Sequence, residues 1–301
     1  MVYIIRMKCL FVANPNSGRG TIVKRKDYVI KRLQTKFDVV DYRETEHSGH
    51  LTEIIEECYA DYDCVVVSGG DGTVNEAVSA LAEKENAPAI GYIPSGTVND
   101  VAHTLRIPKS VKRALDIIIN GRPFEYDIMK INDKYAIYVC GFGLFTSSSY
   151  ETKQSAKRRV GKIAYAFKAT KEFFVAKSYD FEFEGDGQTL CGKTALALIV
   201  NSKYVAGMKF NKPADLQDGK ADVIIFLEKK NRVSFGTKMR IFKMFLCGIN
   251  RVRRSKHVAM FSVANANVKC NAVVNCDGEN GGVGGFSMKV INKGIKIYAK
   301  Y

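Results

Sequence analysis

The stretch that decides the fold runs from Cys64 to Leu81 and reads CVVVSGGDGTVNEAVSAL. Its first four residues are apolar, which predicts a short buried strand. A glycine-rich turn follows, and such a turn between a strand and a helix presents main-chain N–H groups to phosphate. Asp71 adds a carboxylate that a Mg²⁺ ion accompanying the phosphates could use. The residues after the turn recur at helical spacing: Val74, Ala77, Val78 and Leu81.

A second unit with the same layout follows along the chain. Residues 89–93 (AIGYI) predict another short strand, and the turn at residues 94–100 (PSGTVND) precedes the helical segment VAHTL. Strands of a parallel sheet end at one edge, so we expect both turns to face one crevice. A single glycine-rich turn commonly serves packing alone. Two coincident turns predict a phosphate-binding site.

The motifs GGDGTVNE and PSGTVND together resemble the catalytic domain of the diacylglycerol kinase-like lipid kinases, a family that includes sphingosine and ceramide kinases. The soluble bacterial members are similar in length and layout. NAD kinases share the GGDG element, whereas the PxGTxND element is typical of the lipid kinases. The resemblance implies that both motifs contact ATP. The residues concerned are Gly69, Gly70, Asp71, Gly72, Thr73, Asn75, Glu76, Gly96, Thr97, Asn99 and Asp100.

The first predicted strand, Cys9–Ala13, ends in a further glycine-containing turn. This turn lacks the Lys-Ser/Thr pair of a GxxxxGK[ST] phosphate loop, so alone it indicates an ordinary strand–helix turn. The resemblance places its NPxSG element, and also Thr45, against the nucleotide. The turn residues concerned are Asn14, Pro15, Asn16, Ser17 and Gly18.

Strands and helices alternate over the first part of the chain, including a basic helix predicted at residues 21–37. This alternation predicts an α/β domain with three layers and a parallel sheet, similar to that of NAD and diacylglycerol kinases. Beyond Asp127 the pattern becomes strand-rich, which predicts a largely antiparallel, β-sandwich-like domain. We expect a nucleotide-binding catalytic domain over residues 1–125. A lipid-substrate domain that supplies an acidic catalytic turn would follow over residues 126–301.

Bulk properties indicate the cellular setting. No apolar run reaches the roughly 18 residues that span a bilayer, and the opening residues predict a strand rather than a signal peptide. Eight cysteines without a CxxC pair are typical of a reduced, cytoplasmic protein. The net charge of +15 suits an anionic membrane surface or a nucleic acid. The chain has no Trp and no nucleic-acid-binding motif, so we expect no nucleic-acid partner.

Two basic segments with interleaved apolar residues, 155–176 and 238–256, predict helices. Such helices can lie on an anionic bilayer. The alternative is that their apolar faces pack on the second domain while the charges are solvated. The combined positive field favours transient contact with the inner face of the membrane.

Three acidic residues, Asp71, Asp100 and Asp127, end successive elements at the predicted crevice and are candidates to bind Mg²⁺ directly or through water. The resemblance implies a second, structural Mg²⁺ later in the chain. There Asp218 would be the carboxylate ligand, with Asp215 and the Lys220 carbonyl close by. On the residues alone, the Asp-Gly pair at 218–219 predicts only a turn.

The segment Val273–Gly282 resembles the DGE element of the family. The resemblance implies that Glu279 takes the proton of the attacking hydroxyl, with Asp277 as the weaker candidate. The residues alone predict a polar hairpin turn. At residues 141–147 (GFGLFTS) the chain departs from many members, which have an Asp in this GxGxDA-like stretch. That departure bears on substrate identity more than on phosphoryl transfer.

These features predict an enzyme that uses ATP and Mg²⁺ to phosphorylate a membrane lipid alcohol, with diacylglycerol, a precursor in phospholipid biosynthesis, as the first candidate. An NAD kinase-like enzyme with a soluble substrate is one alternative, and PSGTVND, the acidic turn and the basic segments weigh against it. A nucleotide- or lipid-binding regulator without turnover is another. Every acidic residue that catalysis needs is present, which weighs against a regulator without turnover. The sequence does not determine the oligomeric state, and a homodimer is compatible with it.

Overall fold

The computed structural model describes residues 6–18, 21–144 and 176–300, and the chain divides into two compact units. The first unit runs to Ile128 and also contains the last residues, from Asn292 onward. The second runs from Met129 to Ile291. The basic helix predicted at 155–176 lies, apart from Ala176, outside the described residues. No helix within these described ranges is long and apolar enough to cross a bilayer.

The first unit contains a parallel sheet. Strands β3 and β4 are buried at every residue, which shows that both faces of the sheet are covered. Near the chain end, Ile297 pairs in parallel with Ile90 of β4. The four strands, in the spatial order β2-β1-β3-β4, are β1 Lys8–Ala13, β2 Val39–Glu44, β3 Cys64–Gly69 and β4 Ala89–Pro94.

Within the described residues, five α-helices belong to the first unit. They are α1 Lys26–Leu33, α2 His50–Cys58, α3 Asp71–Leu81, α4 Asp100–Thr104 and α5 Val111–Asn120. Helix α2 contacts α3, and α1 contacts α5, while α3 and α5 pack on β3 and β4 respectively. The predicted three-layer α/β architecture is therefore confirmed.

The second unit is built mainly from antiparallel strands, as predicted. The strands that follow β4 are β5 Pro123–Ile131, β6 Lys134–Ala136, β7 Val139–Gly143, β8 Tyr179–Gly185, β9 Gln188–Val200, β10 Tyr204–Val205, β11 Met208–Lys209, β12 Ala221–Glu228, β13 Val258–Val263, β14 Asn265–Cys276 and β15 Glu279–Tyr298. The first part of β9 pairs with β8, and its second part pairs with β7 and β12. Strand β14 likewise pairs with β8 early and with β7 at its end. These changes of partner enclose a core that includes Phe142, Phe181, Phe183 and Phe286.

One described helix, α6 Phe235–Cys247, lies in the second unit between β12 and β13 along the chain. Ser234 caps it by accepting the Thr237 N–H at 3.2 Å, and Gly248, with φ of +89°, ends it. The helix therefore begins earlier and ends sooner than the basic segment 238–256 predicts. Its Phe245 ring packs edge-on against Phe210, with 5.4 Å between ring centroids.

Candidate active site

Three turns meet at the carboxyl edge of the sheet in the first unit. The Ser95 N–H donates to the Gly69 carbonyl at 2.8 Å, and the Ser95 hydroxyl donates to the Ser17 hydroxyl, also at 2.8 Å. The Asn14 N–H donates to the Ser68 carbonyl at 3.0 Å. These bonds join the turn after β1, the turn after β3 and the turn after β4 into one surface, which we call the three-turn surface.

Glycine is required where these turns approach each other. A Cβ at Gly96 would lie 2.6 Å from both the Gly70 Cα and the Asn99 Oδ1. A Cβ at Gly18, where φ is +55°, would lie 2.6 Å from the Ser95 carbonyl oxygen. By contrast, no heavy atom lies within 4 Å of a Cβ built on Gly72. Gly18 and Gly96 therefore serve packing of the turns, whereas Gly72 borders open space.

Asn99 fixes the turn after β4 from inside the unit. Its φ of +59° lies in the left-handed region, which Asn adopts more readily than most residues. Its Nδ2 donates to the Gly96 carbonyl at 2.8 Å, and its Oδ1 accepts from the Tyr92 hydroxyl at 3.2 Å. The Asn99 side chain is fully buried and positions the turn, and its contact with the nucleotide stays a prediction.

The carboxylate of Asp71 links the turn after β3 to the turn after β4. Asp71 is the first residue of α3, and its Oδ1 accepts the N–H of Val101 in α4 at 3.1 Å. Burial raises the pKa of Asp71 above its ordinary value, while the main-chain N–H groups of Val101, Asp100 and Asn99 act in the opposite direction. Asp71 is therefore a half-buried, positioned carboxylate rather than a free loop residue.

The predicted carboxylate group at the crevice does not form a metal cage. Among residues 6–18, 21–144 and 176–300, no group of three or more His, Cys, Asp or Glu side chains could hold a metal ion. Asp100 is buried next to the turn. Asp127 is fully buried, and its Oδ1 accepts the Lys293 N–H at 2.6 Å and the Asn292 Nδ2 at 3.2 Å. The Asp127 carboxylate thus holds the last strand segment in place, and its role as a metal ligand stays a prediction.

The two other predicted carboxylates, Asp71 and Asp100, are suited to a metal ion that is bound mainly by the phosphates of a nucleotide. Mg²⁺ bound to a nucleotide needs only one or two protein carboxylates, and Asp71 with Asp100 can supply them. Within the described part of the chain, the buried Ser68 hydroxyl has no hydrogen-bond partner. Ser68 lies near the end of β3, beside the glycine-rich turn, where a phosphate oxygen could accept its proton.

The other predicted nucleotide contacts lie around the same edge, with differing exposure. Thr45 is buried just after β2, and its N–H donates to the Ala13 carbonyl at 3.1 Å. The Asn16 N–H donates to the Asn14 Oδ1 at 2.9 Å, which shapes the turn after β1. Four further residues range from buried to exposed: Thr73 is buried, Asn75 and Glu76 are half-buried, and Thr97 is exposed.

The acidic turn of the second unit connects β14 to β15. The Asp277 Oδ2 accepts the Ile137 N–H at 2.5 Å, and its Oδ1 accepts the N–H groups of Tyr138 at 3.1 Å and Val139 at 2.9 Å. Three main-chain donors thus occupy this carboxylate. The Asp277 carboxylate therefore holds the acidic turn against residues 137–139, and its role as a catalytic group stays a prediction. The Glu279 side chain is exposed.

The residues predicted for a structural Mg²⁺ lie in an exposed loop of the second unit. The Asp215 Oδ1 accepts the Gln217 N–H at 3.1 Å, and the Asp218 Oδ1 accepts the Lys220 N–H at 2.9 Å. Both are local turns of the kind that Asp side chains commonly form. The metal at Asp215, Asp218 and the Lys220 carbonyl stays a prediction.

The sequence motifs did not identify two serines of the three-turn surface, Ser68 and Ser95, as site residues. Ser68 and Ser95 are polar residues placed at or just after the end of a buried strand. That position is itself a signal, because a polar residue ending an apolar run at the carboxyl edge of a parallel sheet faces the usual ligand site.

Comparison with known proteins agrees with this architecture. Residues 8–131 match the diacylglycerol kinase catalytic domain, and residues 143–299 match the YegS C-terminal NAD kinase beta sandwich-like domain. A diacylglycerol kinase of Staphylococcus aureus (strain JH9) is 34% identical over 286 residues, which cover 92% of this chain and 88% of that protein. The chain belongs to the diacylglycerol kinase family. The corresponding protein of the bovine strain RF122 / ET3-1 is 33% identical over 285 residues, with the same coverage.

Solved structures of the diacylglycerol kinase family share the fold. A crystal structure of a diacylglycerol kinase from Bacillus anthracis (strain Sterne) matches with a TM-score of 0.79 at 22% identity, covering 98% of both chains. A further crystal structure from that organism reaches 0.83, also at 22% identity and 98% coverage of both chains. At this level of identity the likeness establishes the fold alone. Membership of the family, shown by the domain matches and curated relatives, makes the chain a lipid kinase.

Proposed function

We propose that this lipid kinase transfers the γ-phosphate of ATP to the hydroxyl of diacylglycerol and so forms phosphatidic acid. The observation that carries the proposal is the three-turn surface, where bonds from Ser95 and Asn14 join three turns at one sheet edge. The curated relatives named diacylglycerol kinase, 34% identical to this chain, support the choice of acceptor.

In this proposal residues 1–125 bind and orient ATP. Main-chain N–H groups of the turns after β3 and β4 donate to the phosphates, as such groups do at strand–helix turns. Gly72, which borders open space, leaves room for them, and the Ser68 hydroxyl supplies an additional donor. The NPxSG turn and Thr45 complete the nucleotide site.

Asp71 and Asp100 hold the Mg²⁺ ion that accompanies the phosphates. When bound, Mg²⁺ offsets the negative charge that develops on the phosphoryl oxygens. Asp71 is suited to this task because main-chain N–H groups fix its carboxylate despite burial. A second Mg²⁺ at Asp215, Asp218 and the Lys220 carbonyl would have a structural role, since the two carboxylates already order their own loop.

Residues 126–301 bind the lipid and supply the base. Glu279, exposed on the acidic turn, takes the proton of the attacking hydroxyl as the bond to phosphorus forms. Asp277 holds that turn in place through the N–H groups of Ile137, Tyr138 and Val139. Removal of the proton makes the hydroxyl oxygen a better nucleophile at neutral pH.

We place the reaction at the cytoplasmic face of the membrane. The acceptor is a membrane lipid, and the net charge of +15 attracts the protein to anionic headgroups. The protein would thus act as a peripheral enzyme of phospholipid biosynthesis that binds and leaves the bilayer.

Release of ADP from Mg-ATP by the purified protein tests this function. Three conditions are compared: diacylglycerol in mixed micelles, NAD, and no acceptor. We expect stimulation by diacylglycerol that is lost in the Asp71→Asn variant. Stimulation by NAD instead would overturn the lipid acceptor while leaving the fold assignment intact, and silence in all three would refute the proposed acceptor.

A further inference from the structure

Helix α6 exposes a row of large apolar side chains. The exposed fractions are 72% for Phe235, 41% for Met239, 49% for Phe242 and 64% for Leu246. At about 100° per residue, these four positions fall within roughly 60° of the helix circumference. We call them the apolar row.

The apolar row is not needed for packing of the helix. The buried residues of α6, Thr237, Lys238, Ile241 and Met244, lie away from the row. This side contacts β11 and β12, and Phe245 adds the ring contact with Phe210. A contiguous group of exposed, large apolar side chains on a folded protein indicates an interaction surface.

The surroundings of the row are strongly basic. Residues 229–256 contain ten Lys or Arg and no Asp or Glu. Five of the cations on or after the helix are exposed: Lys243, Arg251, Arg253, Arg254 and Lys256. One carboxylate lies at the start of the helix, where Glu228 accepts hydrogen bonds from the Ser234 N–H and hydroxyl. An apolar strip within an otherwise cationic stretch matches the boundary of an anionic bilayer, where hydrocarbon lies just beneath negative headgroups.

We propose that α6 lies in the headgroup layer of an anionic bilayer with the apolar row inserted among the acyl chains. The inference rests on the proposed function, because it names the surface by which the enzyme reaches a membrane acceptor. A second copy of the chain is the less suitable occupant, since pairing two such surfaces would bring cations against cations.

Sedimentation of the full-length protein with vesicles tests this inference without reference to catalysis. Vesicles of phosphatidylcholine alone are compared with vesicles that also contain phosphatidylglycerol. The double variant Phe242→Ser, Leu246→Ser removes half of the row. Val283→Ser is the control, because Val283 is 71% exposed in the same unit but outside the row. We expect at least about a tenfold loss of vesicle partitioning in the double variant, as burial of one such side chain contributes on this scale.

A charge variant separates the two parts of the surface. The double variant Arg253→Glu, Arg254→Glu keeps the apolar row and should lose binding to the phosphatidylglycerol vesicles. Added salt should weaken vesicle binding by the parent protein in the same way. Turnover of a water-soluble, short-chain diacylglycerol without vesicles should stay unchanged in the double row variant, whereas turnover of vesicle-bound diacylglycerol falls.

Two results would overturn the inference: equal partitioning of the row variant and the parent, or a parent dimer that dissociates when the row is removed. Thermal unfolding checks that each variant folds, and the exposed positions predict changes within about 0.5 kcal/mol. If no diacylglycerol is phosphorylated by any form, the proposed function fails. Vesicle partitioning then still decides whether α6 binds the bilayer.

Discussion

At Asp71 two physical effects oppose each other. Burial disfavours the ionised carboxylate and raises its pKa, whereas main-chain N–H groups such as that of Val101 favour the ionised form. A raised folded-state pKa means that stability from this group is fully present below the ordinary pKa of aspartate and is lost as pH rises through the folded value. Ionisation of Asp71 therefore costs the fold stability, and the proposed function uses the resulting charge to hold a metal.

An Asn in place of Asp71 removes the charge and keeps an acceptor for the Val101 N–H. We expect the stability of Asp71→Asn relative to the parent to increase as the pH rises above the ordinary pKa of aspartate, because the variant has no carboxyl group to ionise at this position. Turnover should be abolished. Thermal unfolding at a series of pH values provides the measurement, with Asp71→Ala as the comparison that also loses the acceptor, at a cost of about 1 kcal/mol. A stability difference that does not vary with pH would contradict the assigned shift.

Two glycines of the three-turn surface should respond oppositely to alanine. Gly96→Ala places a Cβ 2.6 Å from the Gly70 Cα, so we expect a destabilisation of roughly 1–3 kcal/mol. Gly72→Ala meets no atom within 4 Å and lies in the first turn of α3, so stability should hold or rise by up to about 1 kcal/mol. Its KM for ATP should nevertheless rise, because the methyl group occupies space proposed for phosphate. Chemical denaturation and ATP kinetics of both variants check this, and an unchanged KM in Gly72→Ala would refute the placement of the phosphates.

The acidic turn contains two carboxylates with different surroundings. Asp277 accepts main-chain hydrogen bonds, whereas Glu279, the proposed base, is exposed. Asp277→Ala leaves three buried main-chain N–H groups without their acceptor, which should cost about 3 kcal/mol or more. Glu279→Gln changes an exposed side chain, so stability should stay within about 0.5 kcal/mol while kcat falls about 10²- to 10⁴-fold. Unfolding curves and kcat for both variants distinguish the roles. A stable Asp277→Ala variant would contradict the structural role of Asp277, and an active Glu279→Gln variant would contradict the role of Glu279 as the base.

At the scale of elements, the α/β half was predictable because its signals are local. Apolar runs and glycine-rich turns indicated β3, α3 and β4 with boundaries close to those observed. The helix predicted at 21–37 is shorter in the structure, where α1 covers Lys26–Leu33. The Thr35 hydroxyl donates to the Arg32 carbonyl at 2.7 Å just beyond the end of α1. Apolar periodicity does not reveal such side-chain competition.

The roles of several site residues were not predictable, because they depend on donors far away in sequence. Asp277 is held by Ile137, and Asp127 by Lys293. A sequence shows that an acidic residue ends a strand, but it does not show which main-chain N–H groups will donate hydrogen bonds to its carboxylate. The bonds that hold Asp127 and Asp277 could not be predicted for this reason, and the roles of these residues as metal ligand and catalytic group stay predictions. The adjoining glycine turns, by contrast, followed from the parallel sheet.

The end of β15 contributes buried residues to the first unit. Ile297 is fully buried beside Ile90, while its neighbour Lys296 is exposed. We expect Ile297→Ala to lower the free energy of unfolding by about 2–5 kcal/mol. Lys296→Ala, one residue away, should change it by less than about 0.5 kcal/mol. Equal effects in denaturant titrations would show that this segment does not belong to the core of the first unit.

At the scale of the whole molecule, the chain builds its two units in an interrupted order. The chain leaves the first unit after Ile128 and returns to it at Asn292. The proposed nucleotide site lies in the first unit, and the proposed base and membrane surface lie in the second. A fragment that ends at residue 125 would lack the returning segment with Ile297, so the roles should be tested in the full-length chain.

The most direct test of the account follows the phosphoryl group itself. The full-length protein is given ATP labelled at the γ-phosphate, Mg²⁺ and vesicles containing diacylglycerol, and the label in extracted phosphatidic acid is measured with time. The account predicts rapid transfer by the parent, none after chelation of divalent metal, and about a 10²-fold or greater loss in Glu279→Gln. Label that stays in the aqueous phase, or equal transfer by Glu279→Gln and the parent, would contradict it.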